Sequence, residues 1–281
     1  TVGARSPEIR RNRMASRRMS MQATTHAKRL WALDGARMTL ENSLLIVGGT
    51  GRLTVPLPTF LIEHERGLVL FDTGLVPEAA DDPHLIYGEL VEEAGIEMTP
   101  DQRIDRQLAT IGFRPEDITH VILSHTHLDH TGGLSLFPQA KFFIQRGELG
   151  YGYWPYPAAA AFFRQADFEP IRAIGWHEVD GDFDLFGDGS IRILACPGHT
   201  PGNASLFVQL SDRSFIIAGD TVHSTHAIEA ELPASPDANT EQAIWSIRKI
   251  KRLAEAWQAD IWVPHDPDQW PEFAHAPEYY S

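Results

Sequence analysis

The sequence predicts an α/β protein in which sheets pack on each other with helices outside. Three observations carry this. Short apolar, β-branched runs come in groups, amphipathic helical stretches separate the groups, and two histidine-bearing loops follow strands. A simple doubly wound fold would alternate single strands and helices more evenly.

The elements follow in order. TFLIEHERGLVLFDTG (59–74) predicts two strands joined by a turn at Glu65-Arg66-Gly67, with Asp72 at the end of the second. TPDQRIDRQLATIGF (99–113) places Ile104, Leu108 and Ile111 at helical spacing, with Thr99 as cap and Gly112 as stop. HVILSH (120–125) is a short apolar run, the pattern of a buried strand. KFFIQ, IRILAC, SLFVQL and SFIIAG predict further strands. EQAIWSIRKIKRLAEAW (241–257) sets Ile244, Ile247, Ile250, Leu253 and Trp257 along one helical face, and DIWVPH (260–265) is a last strand ending on His265.

The 281 residues suit one large domain, and 43% hydrophobic with 22% charged residues is ordinary for a globular chain. No apolar run approaches the length of roughly 18 residues that marks a membrane span. Cys196 is the only cysteine, so neither an internal disulfide nor a Cys-rich zinc site can form. That suits a reducing compartment, and a cytoplasmic location is expected. Charge divides the chain. Residues 1–29 carry eight basic side chains against the single acid Glu8, which leaves −21 of the total −14 on residues 30–281. A body so acidic repels phosphate backbones and argues against nucleic acid as a partner. The basic segment lacks periodicity and an apolar stretch. It reads as a disordered arm before a domain over 30–281, although its Arg-rich, acid-poor composition also resembles an organelle transit peptide.

SHTHLDH (124–130) carries the chemistry. Residues two apart on an extended backbone point the same way, so His125 and His127 can grip one ion. Asp129 and His130 lie past the turn and can face a second. Four donors within six residues exceed what one catalytic ion takes from a single turn, so two ions are expected. The donors suit zinc, and cobalt, iron or manganese fit them as well. Further candidates stand at strand ends: His199 in the tight loop CPGHTPG, Asp220 after FIIAG and His265 after IWVP. A single histidine at such a place is more often a hydrogen-bonded core residue than a ligand. Seven donors together predict two divalent ions, each with three ligands of its own and a shared carboxylate.

With these residues in hand, the chain resembles the metallo-β-lactamase superfamily: H-x-H-x-D-H, then a GHTPG loop, an Asp at a strand end and a late His. The resemblance implies an αββα sandwich with the ions at one edge. Within the superfamily the chain is most similar to the N-acyl homoserine lactone lactonases. That similarity rests on MTPDQRIDRQLATIGFRPEDITHVILSHTHLDHTGG (98–133), PGHTPGNASLFV (197–208), SIRKIKRLAE (246–255) and the short tail from PHD (264–266) to PEYY (277–280). It implies that His125, His127 and His199 hold the first ion, that Asp129, His130 and His265 hold the second, and that Asp220 bridges them. Asp72 would brace the metal loop. Many such lactonases carry a tyrosine three residues after the bridging Asp. Here His223 stands there, and its imidazole can donate the same hydrogen bond to a substrate carbonyl.

The implied activity is opening of the ester ring of a small acyl lactone, a quorum-quenching reaction, by a hydroxide bridging the ions. Asp129 would carry the proton to the leaving alkoxide. No Ser or Cys nucleophile is needed, and Cys196 reads as buried structure. An apolar acyl groove is expected from WALDGARMTL (31–40), with Trp31, Met38 and Leu40, and from YGYWPYPAAAAFFRQADF (151–168), with Tyr153, Trp154, Phe162 and Phe163. The second segment reads equally as a dimer surface or a core cover, and the family implies a homodimer. Two other readings stay open: another hydrolase on this scaffold (phosphotriesterase, arylesterase or thioesterase), and a binding or scaffold protein that has lost its metals. The seven retained ligands argue against the last.

Overall fold

The computed structural model describes residues 26–281. Its strands are β1 (Arg29–Leu33), β2 (Arg37–Glu41), β3 (Arg52–Pro56), β4 (Thr59–His64), β5 (Gly67–Phe71), β6 (Ile118–Ile122), β7 (Lys141–Gln145), β8 (Trp176–Val179), β9 (Phe183–Asp184), β10 (Ile191–Ala195), β11 (Ala204–Gln209), β12 (Ser214–Ile217) and β13 (Ala259–Trp262). They form a six-stranded sheet in the order β1-β4-β5-β6-β7-β8 and a five-stranded sheet in the order β13-β12-β11-β10-β9. A separate hairpin pairs β2 with β3. Strands β5 to β8 run parallel, as do β12 and β13, and the remaining pairs are antiparallel.

Both faces of each large sheet are buried, and the period-2 alternation of side chains shows it directly. In β5, Val69 and Phe71 point into a core shared by the two sheets, where they join Ile193, Leu206 and Phe215. Leu68 and Leu70 point the other way, into a core closed by Ile104 and Leu108 of the helix Ile104–Thr110. In β12, Phe215 and Ile217 face the shared core while Ile216 faces Ile247 and Ile250 of the helix Thr240–Trp257. The layers are therefore helix, sheet, sheet, helix, as the sequence and its resemblance predict.

Several elements differ from expectation in detail. Residues 99–113 are not one helix. Gln102 Oε1 accepts from the Thr99 N–H at 2.9 Å and closes a single 3₁₀ turn, Arg103 is extended (φ −62°, ψ 136°), and the α-helix begins at Ile104. The helix Thr240–Trp257 is capped by Asn239, whose side chain accepts from the Gln242 N–H at 3.0 Å. Its buried face runs through Ala243, Ile247, Ile250 and Ala254, which leaves Ile244 and Leu253 at the flank. Residues 27–29, at the end of the expected arm, are tied into the sheets. The Ala27 N–H donates to Gln209 O, the Lys28 N–H donates to Glu63 O, and Arg29 opens β1. The rest of that expected arm, residues 1–25, lies outside the described residues. No helix among the described residues is long and apolar enough to cross a membrane.

Candidate metal centre

The carboxyl ends of β5, β6, β10, β12 and β13 meet at one edge of the sandwich, and each hands the chain to a polar loop. Two glycines let the loop after β6 turn sharply. A Cβ on Gly132 would lie 2.0 Å from Val76 N and one on Gly133 2.6 Å from Thr73 O, so only glycine permits this approach. His125 and Thr126 leave β6, His127 caps the short helix Leu128–Thr131, and that helix carries Asp129 and His130. Asp72, left-handed at φ 60°, pins the loop from β5. Its Oδ1 accepts from the Ser124 N–H at 2.7 Å and its Oδ2 sits 2.9 Å from His130 Nδ1. A non-glycine residue in this backbone region is uncommon, and here it is held by both bonds.

All seven predicted ligands converge. His125, His127, His199 and Asp220 form one group and Asp129, His130 and His265 another, with donor atoms within 4.8 Å of one another in each. His127 Nδ1 faces His199 Nε2 at 3.1 Å. Asp220 divides its oxygens. Oδ2 lies 3.5 Å from His199 Nε2 and 3.9 Å from His125 Nε2, while Oδ1 lies 3.0 Å from His265 Nε2 and 3.4 Å from His130 Nε2. His130 Nε2 is also 3.3 Å from Asp129 Oδ2.

The Nδ1 atoms of His199, His265 and His125 are held from behind. His199 Nδ1 is 3.0 Å from Asp237, His265 Nδ1 donates to Pro56 O at 2.7 Å, and His125 Nδ1 is 3.0 Å from Ser124 Oγ. Such outer partners fix ring orientation and tautomer in metal sites. In contrast, the buried Nε2 atoms of His125 and His130 make no hydrogen bond. Leaving a buried donor or acceptor unpaired costs about 1–3 kcal/mol, so these two atoms fit a metal better than a purely structural role.

The electrostatics agree. Burial, reinforced by neighbouring imidazoles, pushes His125 and His127 well below the usual histidine range and keeps their lone pairs available. Burial would raise the Asp129 carboxyl, but His130 beside it outweighs this and holds it at about 2. Burial likewise opposes ionisation of Asp220, and His265, His130 and His125 reverse the balance and keep it low. His130 goes the opposite way. Asp129, Asp72 and Asp220 overcome its burial and raise it well above the ordinary value.

Above these groups lies an open cleft of about 670 Å³. Its floor is His127, Asp129, His199, Asp220, His223 and His265. Its walls are apolar: Met38 from β2, Val55 from β3, Leu45 and Leu57 beside them, and Ala159 and Phe162 opposite. His223 is buried, with Nε2 3.1 Å from Asp220 Oδ2. Of the side chains expected at the acyl groove, Met38 and Phe162 line this cleft. Trp154 does not, and that assignment is corrected. The helix Glu148–Tyr153 ends just before it, Trp154 adopts φ −141°, and its side chain swings outward to 87% exposure while Tyr151 lines the cleft in its place. Trp31 is core, packed on Phe113 and Tyr279. Tyr151 lies in the aromatic segment 151–168 but is not singled out there by sequence, and nothing local marks Asp237 or Pro236.

Comparison with known proteins adds to this geometry. The family described as "Metallo-beta-lactamase superfamily" matches residues 55–263. The chain is 32% identical over 261 residues to an N-acyl homoserine lactonase AttM from Rhizobium radiobacter, covering 90% of this chain and 98% of that one. It is 28% identical over 260 residues to an N-acyl homoserine lactonase from Bacillus thuringiensis, with the same coverage. Its fold matches a 1.4 Å structure of an N-acyl homoserine lactone hydrolase with the product N-hexanoyl-L-homoserine bound at the catalytic metal centre. That match has a TM-score of 0.80 at 26% identity over 91% of this chain and 100% of the other.

Proposed function

The chain belongs to the metallo-beta-lactamase superfamily, and from that premise we propose that it is a metal-dependent lactonase opening the ester ring of N-acyl homoserine lactones. The observation that carries the reading is Asp220, whose two oxygens face two separate groups of imidazoles at the floor of an apolar cleft. His125, His127 and His199 would hold one divalent ion, Asp129, His130 and His265 a second, and Asp220 both. When bound, the ions polarise the ring carbonyl and make hydroxide available near neutral pH. Zinc suits the imidazole and carboxylate donors, with cobalt, iron and manganese as the other candidates.

The side chains supply the rest. Asp129, at the cleft floor and ionised, accepts a proton and returns it to the ring oxygen as the C–O bond breaks. His223 Nε2 shares Asp220 Oδ2 with the first ligand set, and a cation held by that set would weaken its bond to the carboxylate. The released N–H can then donate to a carbonyl oxygen in the cleft and stabilise its developing charge. Met38, Leu45, Val55, Leu57 and Phe162 form a wall for the acyl chain, where burial of each methylene is worth about 0.8 kcal/mol. A cytoplasmic site of action belongs to the same reading, supported by the lone buried Cys196.

The test is hydrolysis of a short- and a long-chain acyl homoserine lactone by metal-replete protein, followed by pH-stat, beside Asp220→Ala. Opening that falls on the order of 10³-fold in the variant is expected from losing the shared carboxylate. A metal-replete chain that leaves both lactones intact but cleaves an aryl ester, thioester or phosphotriester would move the reading to another hydrolase of this scaffold.

A further inference from the structure

Glu148 is fully buried, a rare position for a glutamate. It opens the helix Glu148–Tyr153, after Gly147 at φ 89° turns the chain away from β7. Its carboxylate joins two loops. Oε1 accepts from the backbone N–H of Thr126 at 2.9 Å and from the Thr126 hydroxyl at 2.8 Å. Oε2 accepts from the Thr200 hydroxyl at 2.7 Å and from the Gly202 N–H at 2.9 Å. Thr126 stands between His125 and His127, and Thr200 follows His199, so the loops are the two that carry the imidazoles of the first ligand set. One loop comes from each sheet.

The packing leaves no slack. A Cβ on Gly202 would lie 2.5 Å from Glu148 Cβ, and one on Gly152 would lie 2.6 Å from Thr126 Oγ1. Four donors on one carboxylate use its whole strong acceptor capacity. The second ligand set is tied elsewhere, His130 to Asp72 and His265 to Pro56.

We propose that Glu148 is a positioning residue of the metal centre, fixing the approach of His127 to His199 and thereby the hold on one of the two ions. The proposal rests on the metal-centre reading above. The geometry uses both carboxyl oxygens as acceptors. A glutamine offers one acceptor oxygen, and its NH₂ would face two donors, of which a backbone N–H cannot reverse. Glu148→Gln must therefore release one loop.

The experiment loads the full chain with Zn²⁺, removes excess metal, and titrates retained metal with a chromophoric chelator in wild type, Glu148→Gln and Thr200→Val. Thr200→Val deletes one donor and keeps the carboxylate with both backbone bonds. Near-ultraviolet circular dichroism and thermal melts of the stripped proteins run alongside. The expected result is selective: Glu148→Gln holds one ion as wild type does and the other about 10–100-fold more weakly, with Thr200→Val between. A merely structural role would lower the melting temperature of the stripped protein and leave both affinities of the folded protein unchanged, and that result overturns the proposal. Should Glu148→Gln not fold, Thr200→Val decides: unequal weakening of the two ions supports the proposal, and equal or no weakening overturns it. Because the readout is metal, a wild type that holds two ions yet opens no lactone sinks the functional reading alone, whereas one that holds no ion sinks both.

Discussion

Asp220 Oδ2 lies 3.1 Å from His223 and 3.5 Å from His199, so one oxygen serves two imidazoles with different fates. If His223 donates to the substrate carbonyl, His223→Phe removes the donor without removing a metal ligand. Steady-state hydrolysis should then lose about 10²–10³ in kcat while metal per chain, measured by atomic emission, stays at the wild-type value. An unchanged kcat would leave His223 as a packing residue. At this scale the sequence was most informative about ligands. His125, His127, Asp129 and His130 announce themselves by spacing, and His199, Asp220 and His265 by their place after apolar runs. The residues that hold those ligands were not legible. Asp237 is 38 positions from His199 and Glu148 is 22 from Thr126, and only the tertiary approach of loops gives either a role.

Individual elements show where local pattern is enough and where it is not. Strands β4, β5 and β12 follow the predicted runs because both faces of each sheet are buried, which yields near-continuous apolar segments, whereas β6 starts two residues before its predicted run and ends at Ile122. The helix Ile104–Thr110 begins late because Thr99 and Gln102 bond to each other first, a competition the apolar spacing does not register. Residues 31–40 are expected from sequence only as a supplier of groove side chains, and nothing there marks the pairing of β2 with β3 into a separate ribbon that walls the cleft. Met38 on that ribbon is 2% exposed and faces the floor. Met38→Phe should therefore shorten the apolar path, lowering kcat/KM for a long-chain lactone about tenfold relative to a short-chain one. Trp154→Ala, on the outward side, should leave that ratio as it is. Equal behaviour of the two variants across chain lengths would show that the acyl chain takes another route.

For the molecule as a whole, grouping of strands revealed two packed sheets, but it could not reveal which buried groups sit far from the chemistry. At the edge opposite the metal loops, where β4 ends and β5 begins, His64 stacks on Phe186 at 4.3 Å and His120 meets the same ring edge-on at 5.2 Å. Burial pushes His120 down to about 4, helped by Lys141, His177 and His64, and burial also lowers His64 against the pull of Asp188. Both groups are neutral in the fold and gain protons on unfolding near the ordinary histidine value of about 6.5. The unfolded chain thus binds more protons between those limits, and stability must fall as pH drops from about 6.5 towards 4. Urea denaturation of the metal-stripped protein at pH 7 and pH 5 measures the slope. His120→Gln should flatten it, and an identical slope in that variant would place the acid sensitivity elsewhere.

The two sheets are also consecutive in the chain. Every strand of the first precedes residue 180 and every strand of the second follows it. His125, His127, Asp129 and His130 lie before that point, and His199, Asp220 and His265 after it. Each of the two donor groups, with Asp220 between them, therefore draws on both halves. A chain nicked at the Asp180-Gly181 turn would yield two fragments of which neither can complete a sphere alone. Metal would be retained only by the reassembled pair, and the ions would act as the latch of a two-piece enzyme.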